Sequence, residues 1–176
     1  MILECLKASR PSIVLRDGRV CFGVWDSGWM TEPTAVVPDG FVRVQRRSPF
    51  LDLVGELYLC DGGDGPVYGL RIRSEHANNR GDAHGGVLMT VADLVLGYTT
   101  AFASDPPLPL TTASLNIDFV GSAKVGDWLE GRAEIVRTGR SLAFATCYLT
   151  VEERRIARAS SVLAVGAAPL AGHTGR

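Results

Sequence analysis

Lysine is nearly missing from this chain: of its 18 basic residues only Lys7 and Lys124 are lysines. The 19 acidic residues offset them to a net charge of −1, which leaves no overall basic field to draw nucleic acid or an anionic membrane. The arginine preference suits anion recognition, although GC-rich coding explains it more simply. Cysteine is equally sparse. Cys5, Cys21, Cys60 and Cys147 are scattered, with no CxxC pair and no Cys/His cluster, which argues against a disulfide framework or a zinc site. Cys147 lies in an apolar strand pattern and reads as a small core residue. His76, His84 and His173 show no ligand spacing, so no metal is expected. No secretory leader is expected, because the apolar run Met1–Leu6 is brief and contains Glu4; the expected location is cytoplasmic. Nor is a membrane span expected. Val87–Ala103 is almost wholly apolar or small, but it is short for a crossing and carries Asp93 near its middle.

What is present fits one soluble domain. The chain has 176 residues, 46% of them hydrophobic and 21% charged, enough for a sizeable core with little room for a second domain. Residues 1–40 read as an irregular extension, broken by Gly18, Gly23, Gly28, Pro33 and Pro38, although Val20–Val24 has the composition of a strand. Met30-Thr31-Glu32-Pro33 reads as a start, so Met1–Trp29 is expected to be either misassigned or loosely attached. Its apolar residues, Trp25 and Trp29 among them, are too dispersed to offset the entropy of ordering it. The rival expectation is that Arg19–Val24 adds an edge strand while the tryptophans cover a core face.

From residue 41 to 168 the pattern tightens, and 169–176 reads as a flexible tail. Ser48-Pro49 suggests a helix start with Ser48 as cap and Pro49 at the first position. Glu56–Cys60 and Val67–Arg73 read as a hairpin joined by the glycine-rich turn Asp61–Gly65. A polar loop, Ser74–Ala83, leads into the apolar segment Val87–Ala103, which is hydrophobic on every side, as expected of a helix surrounded by its own protein. Pro106, Pro107 and Pro109 end it. Strands follow at short spacing, which indicates an antiparallel meander. The fold class is α+β: one antiparallel sheet wrapped around one long central helix.

The run Asn78-Asn79-Arg80-Gly81-Asp82-Ala83-His84-Gly85-Gly86, with Asp93 on the helix beyond it, resembles the signature of hot-dog-fold thioesterases of the phenylacetate-pathway type. Leu115–Phe119, Gly126-Asp127 and Gly139–Phe144 are similar too, so the resemblance covers about Phe41 to Gly166. It implies an acyl-CoA thioesterase, with coenzyme A brought in by the substrate and no other cofactor. It also implies a homodimer or dimer of dimers with sites at the subunit interface, and neither nucleic acid nor membrane as partner. By this resemblance Asp93 is the nucleophile or general base, the Gly85 backbone N–H the oxyanion donor, and Asn78 the group that positions the thioester carbonyl or water. His84 braces the turn. A Ser or Thr opening the next strand falls on Thr111 or Thr112. Counting back from Asn116-Ile117 favours Thr112, which carries slightly more weight, whereas strict alternation puts Thr111 on the apolar face.

The residues' own chemistry supports these roles. A thioester hydrolase must stabilise an oxyanion and activate water or supply a nucleophile. The start of a buried helix offers free N–H groups, and Gly85 and Gly86 let substrate approach without a Cβ in the way. The plainer alternative is that the glycines only ease a sharp turn. Asp93 is the only charge in the helix, and burying it is costly unless something compensates; otherwise it caps a neighbouring loop. Arg140, at a hairpin tip, suits coenzyme A phosphates, or is simply a solvated turn residue. Asp93 lies eight residues beyond Gly85, roughly 12 Å along one helix at about 1.5 Å per residue. If both roles hold, the two must meet between subunits. Two other activities compete: a non-catalytic acyl-CoA-binding hot-dog protein, and a dehydratase using His84 with Asp93.

Overall fold

The computed structural model describes residues 36–45 and 48–166, together with the backbone of two short strands near the N-terminus. The chain divides into two units, Met1–Thr31 and Glu32–Arg176. In the first, β1 (Val14–Arg16) pairs antiparallel with β2 (Arg19–Cys21), which makes a two-stranded sheet of its own. The expected strand at Val20–Val24 thus falls partly on β2, and residues 22–24, Trp25, Trp29 and the tail 169–176 lie outside the described residues.

The second unit is a seven-stranded antiparallel sheet and one long helix. The strands are β3 (Val42–Arg43), β4 (Leu57–Asp61), β5 (Pro66–Arg71), β6 (Leu110–Phe119), β7 (Trp128–Thr138), β8 (Leu142–Val151) and β9 (Arg154–Val165). Helix α1 (Pro49–Val54) begins as the sequence predicts: the Ser48 side chain accepts from the Leu51 N–H at 3.2 Å, and Pro49 stands at the position where its missing N–H costs nothing. Helix α2 runs from Gly85 to Ala101.

The strand order is β3-β4-β5-β7-β8-β9-β6. This corrects the simple meander. β7, β8 and β9 are consecutive neighbours, but β6 lies on the far edge beside β9, because α2 carries the chain beneath the sheet before β6 is laid down. The β5–β7 and β9–β6 pairings are therefore non-local, which alternation within a strand does not report.

The core forms where α2 lies on the sheet. Leu88, Val91, Ala92, Val95 and Leu96 are buried against Leu70, Leu129, Leu149 and Ile156. Each such side chain contributes about 1.5–3 kcal/mol on leaving water. Beneath the helix the strands keep small residues: Gly131, Ala143, Ala145, Cys147, Ala157 and Ala159. Gly131 is the tightest of these, since a Cβ there would stand 2.6 Å from Val95 Cγ2. Burial pushes the Cys147 thiol up to about 12, so it is a protonated filler rather than a nucleophile.

One expectation about α2 does not hold within a single chain. Val91, Ala92, Val95, Leu96, Thr99 and Thr100 are buried, but Gly86, Met89 and Phe102 are exposed, and Thr90, Asp93, Gly97 and Tyr98 are only half-buried. The sheet covers one side of the helix, and a stripe one residue out of phase with the core stays open.

Candidate active site

The loop before α2 is held by its own backbone. The Asn78 N–H donates to the Asp82 carbonyl at 2.7 Å and the Gly81 N–H to the Asn78 carbonyl at 3.0 Å. Gly81 has φ +80°, a conformation few other residues adopt readily. The Asn78 side chain accepts from the Arg80 N–H at 2.8 Å. A backbone N–H can only donate, so the atom it meets is Oδ1, and the Nδ2 donors remain for another partner. Beneath the loop, buried His76 accepts from the Arg73 N–H at 3.1 Å through Nδ1 and donates from Nε2 to the Val54 carbonyl at 2.7 Å. The His84 N–H in turn donates to the His76 carbonyl at 2.7 Å. Sequence reasoning passed over His76 in favour of His84, and nothing in its spacing distinguishes a histidine that ties three backbone segments together.

His84 is the N-cap of α2. Its Nδ1 accepts from the Gly86 N–H at 2.9 Å, while its carbonyl accepts from the Val87 N–H at 2.9 Å and the Leu88 N–H at 3.3 Å. The first turn is thereby almost satisfied. The Gly85 N–H has no acceptor among the described residues and is left at the positive end of the helix dipole. The Phe119 ring lies over Gly85, 3.3 Å from where a Cβ would stand. Phe119 is a further residue at this position that the motif does not reveal, because it arrives from the far end of β6.

Two turns further along, the Thr112 hydroxyl donates to Asp93 Oδ1 at 2.8 Å. The bond exists because β6 does not alternate strictly. Thr112 pairs with Leu163 but Ser114 with Val162, so Ala113 is bulged out and the alternation shifts by one. Thr112 consequently shares the helix side of the sheet with Leu115 and Ile117. Thr111, paired with Ala164, points to the other side, so the parity argument for it is overturned. Thr112, Asp93 and Leu163 belong to one shallow pocket that continues down α2 to Phe102.

The single chain brings together Asp93 with Thr112, and His84 with Gly86 at the start of α2, with Asn78 in the loop that leads into it. It does not join these two groups, since Gly85 and Asp93 are separated by about 12 Å of helix. Within one chain His84 and Asp93 are farther apart still, and His84 Nδ1 is engaged by the Gly86 N–H. Arg140 is exposed, without an ion pair among the described residues, on the β7–β8 turn. That turn lies at the end of the sheet that carries Leu110 and Val165, because the Val165 N–H donates to the Ser141 carbonyl.

A helix-start amide without an acceptor among the described residues and a hydroxyl-bonded carboxylate, on a sheet packed against one long helix, are features a hot-dog-fold thioester hydrolase would need. Known proteins agree. The thioesterase superfamily pattern matches residues 80–157. A Pseudomonas aeruginosa protein named as an esterase is 46% identical over 127 residues, which are 72% of this chain and 95% of that one. Mouse acyl-coenzyme A thioesterase 13 is 26% identical over 111 residues, 63% of this chain and 73% of its own. The crystal structure of zebrafish thioesterase superfamily member 2 matches with a TM-score of 0.62 at 27% identity, covering 68% of this chain and 88% of that one. The chain belongs to the thioesterase superfamily. Among the described residues, no helix is long and apolar enough to cross a membrane.

Proposed function

We propose that the protein hydrolyses an acyl-CoA thioester to free acid and coenzyme A, in sites shared between two copies of the chain. Asp93 acts as nucleophile or general base, and the Gly85 N–H is the oxyanion donor. The observation that carries this is the position of the two half-sites on β6. This ten-residue strand is an open edge: one side pairs with β9 and the other has no neighbour among the described strands. A long unpaired edge is a template for another chain. If two copies pair antiparallel about an axis between Leu115 and Asn116, Thr112 of one faces the region of the partner's Phe119. Thr112 holds Asp93, and Phe119 lies on Gly85. The pairing therefore brings the carboxylate of one copy toward the free amide of the other, and two-fold symmetry makes two such sites.

In that geometry the thioester carbonyl oxygen lies at the Gly85 N–H, with Asn78 Nδ2 as a second donor. Asp93 either takes a proton from the attacking water or adds to the carbonyl carbon itself. Collapse of the tetrahedral intermediate breaks the C–S bond and releases the thiolate. Attack by water leaves the free acid directly. Attack by Asp93 leaves a mixed anhydride, which a water molecule then hydrolyses to free acid and the regenerated carboxylate. Thr112 fixes the carboxylate rotamer, and His84 keeps the first turn of α2 in shape. Arg140 is suited to the phosphates of coenzyme A. The mouse relative's name, an acyl-coenzyme A thioesterase, supports this substrate class. Release of free thiol, followed over a panel of acyl-CoAs, tests the proposal. Thiol should appear with the wild type and be lost with Asp93→Asn. A wild type inert toward the whole panel contradicts it.

A further inference from the structure

Among the described residues, nothing requires position 97 to be glycine. It lies inside α2, where glycine is less favourable than alanine, and its φ is not positive. An added Cβ would meet nothing within 4 Å. Gly131, by contrast, is required by Val95 directly above it. The open space at Gly97 belongs to the pocket that begins at the Asp93–Thr112 pair. Gly97 is one turn from Asp93 on the same face, and the pocket passes it between Leu94, Leu108 and Leu163 to reach Tyr98 and Phe102. The far wall is braced: Tyr98 stands 6.1 Å, ring to ring, from both Phe102 and the buried Tyr68 of β5. The volume is about 180 Å³, compared with about 150 Å³ for an enclosed apolar cavity that takes up benzene, but here the pocket is open to solvent on one side.

We propose that Gly97 sets the size of the acyl group the enzyme accepts. Its missing Cβ holds open a path down α2 for an acyl group of about six carbons, and Phe102 closes the end. This rests on Asp93 and Thr112 being the reacting centre. The acyl group then extends from Asp93 toward the C-terminus of its own helix, away from Gly85, while the coenzyme A arm leaves in the other direction.

The test is kcat/KM over a straight-chain series from acetyl-CoA to decanoyl-CoA, for wild type, Gly97→Ala, Gly97→Leu and Phe102→Ala, with melting temperature and assembly size recorded for each. Gly97→Leu, which adds four carbons, should lower the ratio of hexanoyl-CoA to acetyl-CoA turnover by at least roughly 10- to 200-fold, the effect of a single methylene in an apolar pocket. Gly97→Ala should shift it in the same direction and melt at or above the wild type. Phe102→Ala should move the optimum toward longer chains. If the two Gly97 variants keep the wild-type profile, the inference is wrong while the thioesterase reading stands. If Gly97→Ala changes the assembly size and not the profile, the glycine serves contact between copies and the inference is again overturned. A wild type that cleaves none of the series defeats the underlying reading, and this one with it.

Discussion

Asp93 is half-buried on the open stripe of α2 and held by one hydroxyl, so its role separates cleanly from the stability of the core. Asp93→Ala and Asp93→Asn should lower kcat by at least about 10²–10⁴-fold, the range for a lost acid/base group, with melting curves close to the wild type. Near-normal kcat in both variants would remove Asp93 from the mechanism. Thr112→Ala should reduce kcat by about ten- to a hundredfold, because misplacing a reacting group by an ångström has an effect of that order. Thr112→Ser, which keeps the hydroxyl, should recover most of it, and equal losses in the two would show that the methyl group, not the hydroxyl, matters. Asp93 is legible in the sequence because a lone charge in an apolar run stands out. The choice between Thr111 and Thr112 is not, since it hangs on a single bulged residue, Ala113, whose displacement depends on pairing with a strand some fifty residues away.

The helix and the strands beneath it show the same division. Between their bulges, alternation marks the faces of β6 to β9, and Ser48-Pro49 marks the start of α1, because these signals are local. The placement of β6 at the far edge is fixed by long-range pairing, and the open stripe on α2 by what the sheet fails to cover; neither leaves a periodic trace. The seat of α2 is set chiefly by Gly131. Gly131→Ala should force Val95 upward and destabilise the fold by about 1–3 kcal/mol, the usual effect of overpacking, which denaturant unfolding would measure. An unchanged midpoint would mean that the helix is not clamped at this point. Activity in the surviving folded protein should fall as well, since lifting α2 moves Asp93 away from Thr112.

Two features of the whole chain bear on its assembly. The first is the N-terminal unit, Met1–Thr31, which contains the β1–β2 hairpin. A chain beginning at Met30 should keep its acyl-CoA hydrolysis and melt within a few degrees of the full chain; aggregation or a large fall in melting temperature would show that the segment belongs to the working fold. The second is the separation of the two half-sites by about 12 Å of helix, which no rearrangement inside one copy can close while α2 remains straight. The shared site is therefore the central claim, and subunit mixing tests it most directly. Asn78→Ala and Asp93→Ala proteins, each weakly active alone, are mixed and exchanged, and exchange is verified by differently tagged copies. Random pairing makes about half the dimers mixed, each with one intact site of two, so hydrolysis should return to about a quarter of the wild-type rate. If verified mixed dimers stay as inactive as the parents, Asp93 and Asn78 do not serve one site across the interface.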